Sequence, residues 1–498
     1  MNLILDPKRY LILALVTLCS LTGFSQTFDG YALYNLQNNK TTYMIDKDGA
    51  IAHSWVCEVN CNYAVALTDE GNLVRGGVYS GNQLTGAAVG GIIQEYDKDA
   101  NVVWEFVYSD ASHVAHHDLC LLPNGNVLMT AWEVKTTTEL SDAGYSGTSA
   151  GWPTHIIEVQ RDGAGGKIVW EWHIWDHFVQ DVDKDKDNFG VVKDHPELMD
   201  INALTVSRRG GDWFHVNGLD YNEDLDQIVF TSRFASEFFI IDHSTTTEEA
   251  ATHAGGNSGK GGDFLFRWGN PANYGSSDSQ QIPGAVHDPR WIKEGRPNAG
   301  YIQFFNNAGG GNKISVVDAI NPTRNGYNYA WDGTGNDPSE KDWRHVCADY
   351  ADGQSASDRM TNGNIFVALS KEYMYEADST GKIIWQYNAS PAKAFRYECD
   401  HPGVWALLGA DGCGTASLSN IEQKSFIVYP NPSNGVFSVK GLETEKNYTM
   451  MVTDLLGQEI HVEVRESQLN LSGYAAGQYI VRIALENGTT ISKKLVLN

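Results

Sequence analysis

Three segments carry histidine at the start of a predicted strand, and histidine is the residue type best suited to group transfer. They are His116-His117-Asp118 before LCLLPNGN, His215 in DWFHVNGLDYNED, and His287 in AVHDPRWI. A neutral imidazole can act as a nucleophile, as a general acid or base, or as a hydrogen-bond donor. A single histidine is usually structural. Three that begin equivalent strands of a repeated fold would converge on one axis, and that convergence favours a common site.

An irregular repeat supplies the elements that would position these histidines. Each copy contains a strand, a turn with Asp or Gly, and a strand that ends in tryptophan, and the six copies end at Trp55, Trp104, Trp170, Trp268, Trp331 and Trp385. Most copies follow another hairpin, such as YAVALTDEGNLV or HHDLCLLPNGNVLMTAW. Four antiparallel strands form one propeller blade, which must pack against other blades to bury both faces. The sequence therefore predicts an all-β protein with a six-bladed β-propeller over residues 27–412.

The first copy of the repeat lacks its innermost strand. The one unassigned stretch late enough to supply it is roughly FRYECDHPGVWALL, residues 395–408. We therefore expect the ring to close by joining the two ends of the propeller sequence.

Charge and composition exclude several classes of function. The 498 residues include 36 Lys and Arg against 62 Asp and Glu, for a net charge of −26. This argues against electrostatic binding of nucleic acids or anionic membranes. Residues 1–25 are predicted to be a cleavable signal peptide, because Lys8 and Arg9 precede an apolar run that is about half the length of a membrane span. Nothing later in the chain is apolar enough to be a transmembrane segment.

Export implies an oxidising compartment, in which disulfides are expected. Two local pairs are predicted, Cys57 with Cys61 and Cys399 with Cys413. A zinc site at Cys57 and Cys61 is the alternative, but no second pair of ligands has the spacing that zinc sites show.

The segment from Trp175 to Thr205 is too long and acidic to be a turn. The alternation Asp181, Asp183, Asp185, Asp187 resembles a calcium-binding loop, although it lacks the Gly and the closing Glu of an EF-hand. A solvated acidic loop is the alternative, and no other cofactor or metal is predicted.

The pattern changes after Cys413. A linker at residues 413–425 precedes alternating strands with Pro, Asn and Gly turns, which predict a small β-sandwich over residues 426–498. YPNPSNGVFSV, DLLGQEI and the final KKLVLN closely resemble the sorting domain of the type IX secretion system. The resemblance implies export across the outer membrane, to the cell surface or the medium. An adhesive or carbohydrate-binding sandwich is the alternative.

The propeller segments resemble the bacterial arylsulfotransferase family over roughly residues 30 to 410. The resemblance rests on HHDLCLLPNGNVLMTAWE, DWFHVNGLDYNED with TSR, HDPRW with FFNN, and TNGN with STGKIIWQY. It implies transfer of a sulfuryl group from an aryl sulfate donor to a phenolic acceptor through a sulfated histidine. His215 and His287 fit the family's catalytic histidines, and we expect His117 or His401 to join them as a third catalytic histidine. The candidate substrate-binding residues are Arg233, Arg290, Lys313, Asn217 and Trp213.

In one place the chain departs from this family pattern. The family's sulfated histidine opens a later inner strand, where this chain has Ser355 or Ser357 instead. His401 and His345 are therefore candidates to replace it.

Two further interpretations remain open. ADSTGKIIWQY also resembles the tryptophan-docking repeats of quinoprotein dehydrogenases, which have eight blades and bind calcium, although six repeats count against that family. The other interpretation is a surface propeller without catalysis that acts as a binding module.

Overall fold

The protein was analysed as a computed structural model that describes residues 27–204, 211–276, 281–331, 333–409, 427–431, 433–440, 448–454, 459–465, 467–485 and 490–498. The chain divides into two compact units, Met1–Gly414 and Thr415–Asn498. This division falls within the predicted linker. The predicted signal peptide and the whole of the predicted linker lie outside the described residues.

The described part of the first unit consists mainly of β-strands. They are β1 (Gly30–Leu36), β2 (Thr41–Ile45), β3 (Ile51–Val56), β4 (Cys61–Leu67), β5 (Leu73–Val78), β6 (Gly91–Tyr96), β7 (Val102–Val107), β8 (His113–Leu121), β9 (Val127–Glu133), β10 (Thr154–Asp162), β11 (Gly165–His173), β12 (Phe178–Val179), β13 (Met199–Asp200), β14 (Val216–Asn222), β15 (Gln227–Ser232), β16 (Glu237–Asp242), β17 (Phe266–Trp268), β18 (Val286–Trp291), β19 (Ile302–Asn306), β20 (Val316–Ile320), β21 (Arg324–Asn325), β22 (Asn328–Tyr329), β23 (Trp343–Val346), β24 (Ala356–Arg359), β25 (Ile365–Ala368), β26 (Met374–Ala377), β27 (Ile383–Tyr387) and β28 (Pro391–Glu398). The helices are α1 (Thr137–Asp142), α2 (Thr247–Ala250) and α3 (Pro402–Leu408), with 3-10 turns at Ile174–Asp176, Val192–Asp194 and Pro271–Tyr274.

Most of these strands pair into antiparallel sheets of four. Within the described residues the strand orders are β28-β1-β2-β3, β4-β5-β6-β7, β8-β9-β10-β11, β14-β15-β16-β17, β18-β19-β20-β23 and β24-β25-β26-β27. The first strand of each sheet contacts the first strand of the next, in the closed order β28, β4, β8, β14, β18, β24 and back to β28. Residues at equivalent positions of these six strands are therefore brought close together.

Tryptophans on the outermost strands link neighbouring sheets. Their indole N–H groups donate to the adjacent sheet or to a loop attached to it: Trp55 to Asp97 O at 2.9 Å, Trp104 to Gly165 O at 2.6 Å, Trp170 to Thr245 Oγ1 at 3.2 Å and Trp268 to Pro338 O at 2.7 Å. The rings of all four are buried. Each tryptophan thus adds apolar burial and a satisfied hydrogen bond between two sheets.

Two strand predictions need correction. A late strand does pair with β1, but it is Pro391–Glu398, whereas Pro402–Leu408 forms α3. Pro402 suits the first turn of a helix, and the side chain of His401 caps that helix by accepting from Gly403 N at 3.0 Å. The fifth copy ends not at Trp331 but at β23, because the short hairpin of β21 and β22 is inserted before the outermost strand.

The predicted disulfide between Cys57 and Cys61 is wrong. Both are buried free thiols, and their sulfurs are near the carbonyls of Trp55 and Leu36, at 3.9 and 3.0 Å. Cys399 is disulfide-bonded. Cys413, its predicted partner, lies outside the described residues.

The second unit contains two further sheets of four strands. The strands are β29 (Ile427–Tyr429), β30 (Val436–Lys440), β31 (Tyr448–Asp454), β32 (Glu459–Ile460), β33 (Glu463–Arg465), β34 (Gln468–Asn470), β35 (Gly477–Leu485) and β36 (Thr490–Leu497). They pair in the orders β29-β30-β34-β33 and β32-β31-β35-β36. One buried apolar cluster contains Phe437 and Leu469 from the first sheet and Val452 and Val481 from the second.

Candidate active site

His116 and His117 form a hydrogen-bonded pair near the middle of β8. Their Nδ1 atoms are 2.8 Å apart, and the ring of His116 stacks on Trp132 with centroids 4.1 Å apart. His116 Nε2 is buried and has no hydrogen-bond partner in the described part of the chain. One Nδ1 donates to the other, and either tautomer of the pair fits this contact.

His117 contacts His215, which lies immediately before β14. The two ring centroids are 4.6 Å apart. His215 Nδ1 makes a short hydrogen bond with Asp212 Oδ2, and Asp212 Oδ1 accepts from Trp132 Nε1 at 3.2 Å. An ionised carboxylate can only accept, so Nδ1 of His215 carries a hydrogen, and in a neutral imidazole with that hydrogen Nε2 is the nitrogen with the lone pair. Within the described residues Nε2 makes no hydrogen bond.

His287, on β18, has both ring nitrogens engaged. Nδ1 is 2.7 Å from Asn307 Oδ1 and 2.9 Å from Ala285 O, and Nε2 accepts from Gln354 N at 3.1 Å. Burial, followed by the charge of Arg233, holds the pKa of His287 well below its ordinary value of 6.5. His287 is therefore a neutral imidazole whose lone pair already accepts a backbone hydrogen bond.

Burial also controls the charge of the β8 pair. Burial, and next the proximity of His215, hold the pKa values of His116 and His117 well below 6.5. Both are neutral at physiological pH. Neutral histidines near an anion act as hydrogen-bond donors or nucleophiles rather than as charge partners.

Arg233 supplies a positive charge beside the histidines. It follows β15, and its backbone N donates to His215 O at 3.0 Å. A methyl group placed on Gly353 would lie 3.2 Å from Arg233 Nη1 and 4.0 Å from His287 Cε1, so the guanidinium lies close to His287. No carboxylate forms an ion pair with Arg233 in the described part of the chain. A partly buried arginine without a carboxylate partner is suited to binding an anion.

Phe234 lies beside His215 and is accessible to solvent. Its ring centroid is 4.7 Å from that of His215, and 36% of the residue is exposed. Sequence reasoning missed it, since a single phenylalanine after a strand carries no signal of its own. An exposed aromatic ring next to a nucleophile can pack against an aromatic substrate.

Lys393, on β28, was also missed. Its Nζ lies 2.9 Å from Asp118 Oδ2 and 3.3 Å from Asp288 Oδ1, and all three residues are buried. Asp118 follows His117 and Asp288 follows His287, so this ion-pair network joins three of the first strands directly beside the histidines. Its charges are largely compensated, which makes it a positioning network rather than a free anion clamp.

Two of the predicted substrate-binding residues make structural contacts. Asn217 donates to Val286 O at 2.8 Å and accepts from Thr231 Oγ1 at 2.6 Å, which ties β14 to β18. Trp213 is buried, donates to Leu204 O at 3.1 Å and packs against the ring of Phe178. In these positions both stabilise the chain around His215.

The two remaining predicted cation clamps do not join the histidines. Arg290 packs over the ring of Phe395 at 4.0 Å and pairs with Asp288 at 3.3 Å. Although burial opposes its charge, Asp288, Asp358 and Asp220 raise the pKa of Arg290. Lys313 is exposed, in the loop before β20.

The candidates for a replacement histidine lie elsewhere. His401 caps α3, and its ring contacts Tyr397 with centroids 4.9 Å apart. His345 lies on β23, an outermost strand, where its Nε2 is 2.8 Å from Tyr375 Oη and burial lowers its pKa to about 4. Ser355, at the place expected for the family's histidine, is buried and accepts from Ser370 N at 3.1 Å. The structure thus brings together His117, His215 and His287, but not His401 or His345.

The aspartates predicted to bind calcium make loop contacts. Asp183 Oδ1 accepts from Asp185 N at 3.1 Å, and Asp185 pairs with Lys184. In the described chain the one group of three metal-ligating side chains with neighbouring ligand atoms includes none of Asp181, Asp183, Asp185 and Asp187. Calcium binding at this loop stays a prediction.

These features define a class of protein: an all-β chain in which buried histidines, one of them oriented by an aspartate, lie beside an arginine that has no ion pair within the described residues. Such a site suits the transfer of an anionic group. The chain belongs to the arylsulfotransferase family, because the family model described as Arylsulfotransferase (ASST) matches residues 18–329. No curated protein matches the chain.

The C-terminal unit matches a second family model. Residues 427–498 match the model described as Secretion system C-terminal sorting domain. This domain marks proteins that the type IX system exports to the cell surface or beyond it. In the residues described, no helix has the length and apolar character that crossing a bilayer requires.

Several solved structures are weakly similar to this chain. A Bacteroides caccae protein of unknown function is 13% identical with a TM-score of 0.40, covering 74% of this chain and 98% of its own. A putative 6-phosphogluconolactonase from Bacteroides fragilis is 10% identical with a TM-score of 0.38, covering 75% and 99%. The β-propeller domain of Cps50 (Swd1) from Myceliophteria thermophila is 8% identical with a TM-score of 0.36, covering 74% and 88%.

Proposed function

We propose that the protein is a secreted aryl-sulfate sulfotransferase that moves a sulfuryl group from an aryl sulfate to a phenol through His215. The observation that carries this proposal is the Asp212–His215 pair. The carboxylate fixes the hydrogen on Nδ1, so that the Nε2 lone pair is available next to His117 and Arg233. A nucleophile oriented by a second group is the general pattern of covalent catalysis.

The reaction proceeds in two displacements. In the first, the Nε2 lone pair of His215 forms an N–S bond while the S–O bond to the aryl group breaks, and its electron pair leaves on the phenolate oxygen. Asp212 stabilises the positive charge that develops on the imidazole. The phenolate takes a proton from solvent. In the second displacement, the acceptor phenol oxygen attacks sulfur, the N–S bond breaks, and the phenol proton passes to solvent.

The surrounding residues bind the sulfuryl oxygens and the aromatic ring. Arg233 offers several N–H donors and a compensating charge, and His117, in the tautomer that carries its hydrogen on Nε2, offers a neutral donor. Phe234 provides the aromatic contact for the donor or acceptor ring. The ring centroids of Phe234 and His215 lie 4.7 Å apart, which supports this role.

His287 is the alternative nucleophile. Its Nε2 accepts the N–H of Gln354, so attack would require that hydrogen bond to break. We therefore assign His287 to positioning of the segment around Gly353 and Gln354.

The test is phenol release from a chromogenic aryl sulfate with and without a second phenol. We expect parallel double-reciprocal plots, steady release only with the acceptor, and a sulfo group on His215 when the donor is supplied alone. His215→Ala should lose at least a hundredfold in turnover. His401→Asn is the control, since Asn also caps helices and His401 lies outside the histidine cluster formed by His117, His215 and His287.

The possible outcomes separate the function from the residue assignment. A sulfo group on His287 would leave the function in place and overturn His215 as the nucleophile. If the protein transfers no sulfuryl group from any aryl sulfate but binds aryl sulfates through Arg233, the binding-module alternative is supported.

We also propose that the first unit is a six-bladed propeller and the second a β-sandwich. The closed order of contacts among β28, β4, β8, β14, β18 and β24 supports the first proposal. The apolar cluster drawn from both sheets supports the second. A crystal structure with another number of blades would contradict the first, and one with the two C-terminal sheets unpacked would contradict the second.

A further inference from the structure

His177, His253 and Asp263 form a compact group within the first unit. His177 follows the 3-10 turn after β11, His253 follows α2, and Asp263 precedes β17. One ligand atom from each of the three lies within 4.8 Å of the other two. The group contains none of the residues of the candidate active site.

His177 contacts two hydrogen-bond acceptors, which is one more than the single N–H of a neutral imidazole can serve. Its Nε2 is 2.8 Å from Ala250 O, and its Nδ1 is 2.9 Å from Asp263 Oδ1. Both partners are acceptors, whereas a neutral imidazole carries one N–H. With the hydrogen on Nε2, a bare nitrogen lone pair faces a carboxylate oxygen inside a fully buried environment. Such a contact needs either a second proton or a cation that both atoms coordinate.

The second histidine faces the same carboxylate oxygen. His253 Nδ1 lies 2.7 Å from Asp263 Oδ1, and 62% of the His253 side chain is exposed. Two imidazole nitrogens thus converge on one carboxylate oxygen. Imidazole and carboxylate together are the donor set that zinc and similar divalent transition metals prefer.

The surroundings fix the buried ring in place. Trp172 stacks on His177 with centroids 5.7 Å apart and planes 6° apart. A methyl group on Gly262 would lie 2.5 Å from His177 Nε2 and 2.0 Å from Ala250 O, so only glycine leaves room for this contact. A histidine ligand held by a backbone carbonyl on its other nitrogen is the usual arrangement around protein-bound metals.

We propose that His177 Nδ1, His253 Nδ1 and the Asp263 carboxylate bind one divalent transition-metal ion of the zinc type. Three protein ligands leave the fourth tetrahedral position to water. Solvent reaches the group through His253, which is exposed and lines a cavity of about 570 Å³ together with Asp176 and Asp187.

The metal would act as a cross-link between two sheets. His177 follows β11 of one sheet and Asp263 precedes β17 of the next, so the ion joins the outer ends of neighbouring sheets. Binding to the folded state alone stabilises that state in proportion to the logarithm of metal concentration. We therefore expect the ion to raise the thermal stability of the first unit without taking part in the active site.

The experiment uses the full chain, purified without a histidine tag and stripped with a chelator. Zn²⁺ is titrated in competition with a chromophoric chelator, and Co²⁺ is added separately to read its visible absorption. Wild type should bind one equivalent, raise its thermal midpoint with Zn²⁺, and give the intense Co²⁺ bands of a four-coordinate site. His253→Gln and Asp263→Asn should weaken binding by at least about tenfold to a hundredfold and lose those bands.

His195→Gln is the matched control. His195 is also partly exposed and lines the same cavity, but it bonds to Glu197 at 3.1 Å. This variant should bind metal as wild type does. Equal Zn²⁺ affinity in wild type and His253→Gln would overturn the proposal. A thermal midpoint of the wild type that changes neither with Zn²⁺ nor with chelator would also overturn it.

Discussion

Replacing Asp212 with Asn should switch the tautomer of His215 while keeping the shape of the site. Asp212 accepts from two donors, His215 Nδ1 and Trp132 Nε1. An indole N–H can only donate, so Asn must turn its carbonyl oxygen towards Trp132. Its NH₂ group then faces His215, whose Nδ1 becomes an acceptor. The imidazole hydrogen moves to Nε2, the atom that we propose attacks sulfur.

The expected loss follows from that tautomer change. Where the same substitution reverses the imidazole of a serine-protease triad, turnover falls about ten-thousandfold. Here the variant also loses the carboxylate that balances charge on the sulfated ring. We therefore expect kcat to fall by roughly a thousandfold to ten-thousandfold, about 4 to 5 kcal/mol of activation free energy. KM should change little, because Asp212 is not among the groups proposed to bind substrate.

The assay is initial-rate phenol release with a saturating acceptor, followed by mass spectrometry of protein exposed to the donor alone. Asp110→Asn is the matched control. Asp110 also contacts a histidine three residues later, His113, but that pair is partly exposed in a turn and lies outside the histidine cluster. The control should retain wild-type turnover. Thermal unfolding of both variants verifies that the fold is intact.

An Asp212→Asn variant that keeps turnover within about tenfold of wild type would refute the reasoning. The tautomer of His215 would then not limit the reaction. A variant with reduced turnover but an undiminished sulfo group on His215 would also refute it, because the attack on sulfur would have survived.

Three further predictions concern other parts of the chain. Burial opposes the charge of His243, but Asp226 and Glu158 raise its pKa to about 9, so its stabilising charge is fully present below pH 6.5 and lost as the pH rises through about 9. Chemical denaturation should therefore show the difference between wild type and His243→Gln shrinking over that range, and a constant difference would contradict it. Phe234→Ala should raise KM for aryl substrates by a few-fold to about tenfold with kcat less affected, and an unchanged KM would exclude the aromatic contact. Deleting residues 426–498 should leave the unfolding of the first unit unchanged but abolish delivery to the cell surface, measured by cell fractionation. Continued delivery would show that these residues are not the export signal.

Much of the sheet architecture could be predicted from local sequence signals. The turns in YMIDKDGA and YMYEADSTGK contain an Asp whose carboxylate accepts backbone N–H groups two and four residues later, as Asp46 and Asp378 do. Tryptophan marks the outermost strand because its size and N–H fit the contact between sheets. The pattern failed at Trp331, since an inserted hairpin displaces the last strand of that sheet.

The histidines were predictable in part, and their partners were not. His117, His215 and His287 carry a signal because one residue type recurs at equivalent places. Lys393 has no sequence signal of this kind, because its contact with Asp118 joins residues 275 positions apart. The same reasoning wrongly placed His401 in a strand. A histidine before proline can begin a strand or cap a helix, and here His401 caps α3.

The positions of the site residues depend on irregular backbone at one end of the first strands. His117, His215 and Asp288 have φ values of 45°, 55° and 51°, in the left-handed region that L-residues rarely adopt. The pairing of β8, β14 and β18 with the next strand shifts register beside them, between His116 and Leu119, Val216 and Gly218, and His287 and Arg290. Regular alternation would send successive side chains to opposite faces, whereas an extra residue redirects them. Each left-handed residue costs on the order of 1 to 3 kcal/mol, which the sheets must offset. Left-handed backbone thus recurs in three sheets at residues of the candidate active site. Because it is unfavourable for strand pairing each time, we infer that it serves the geometry of the site.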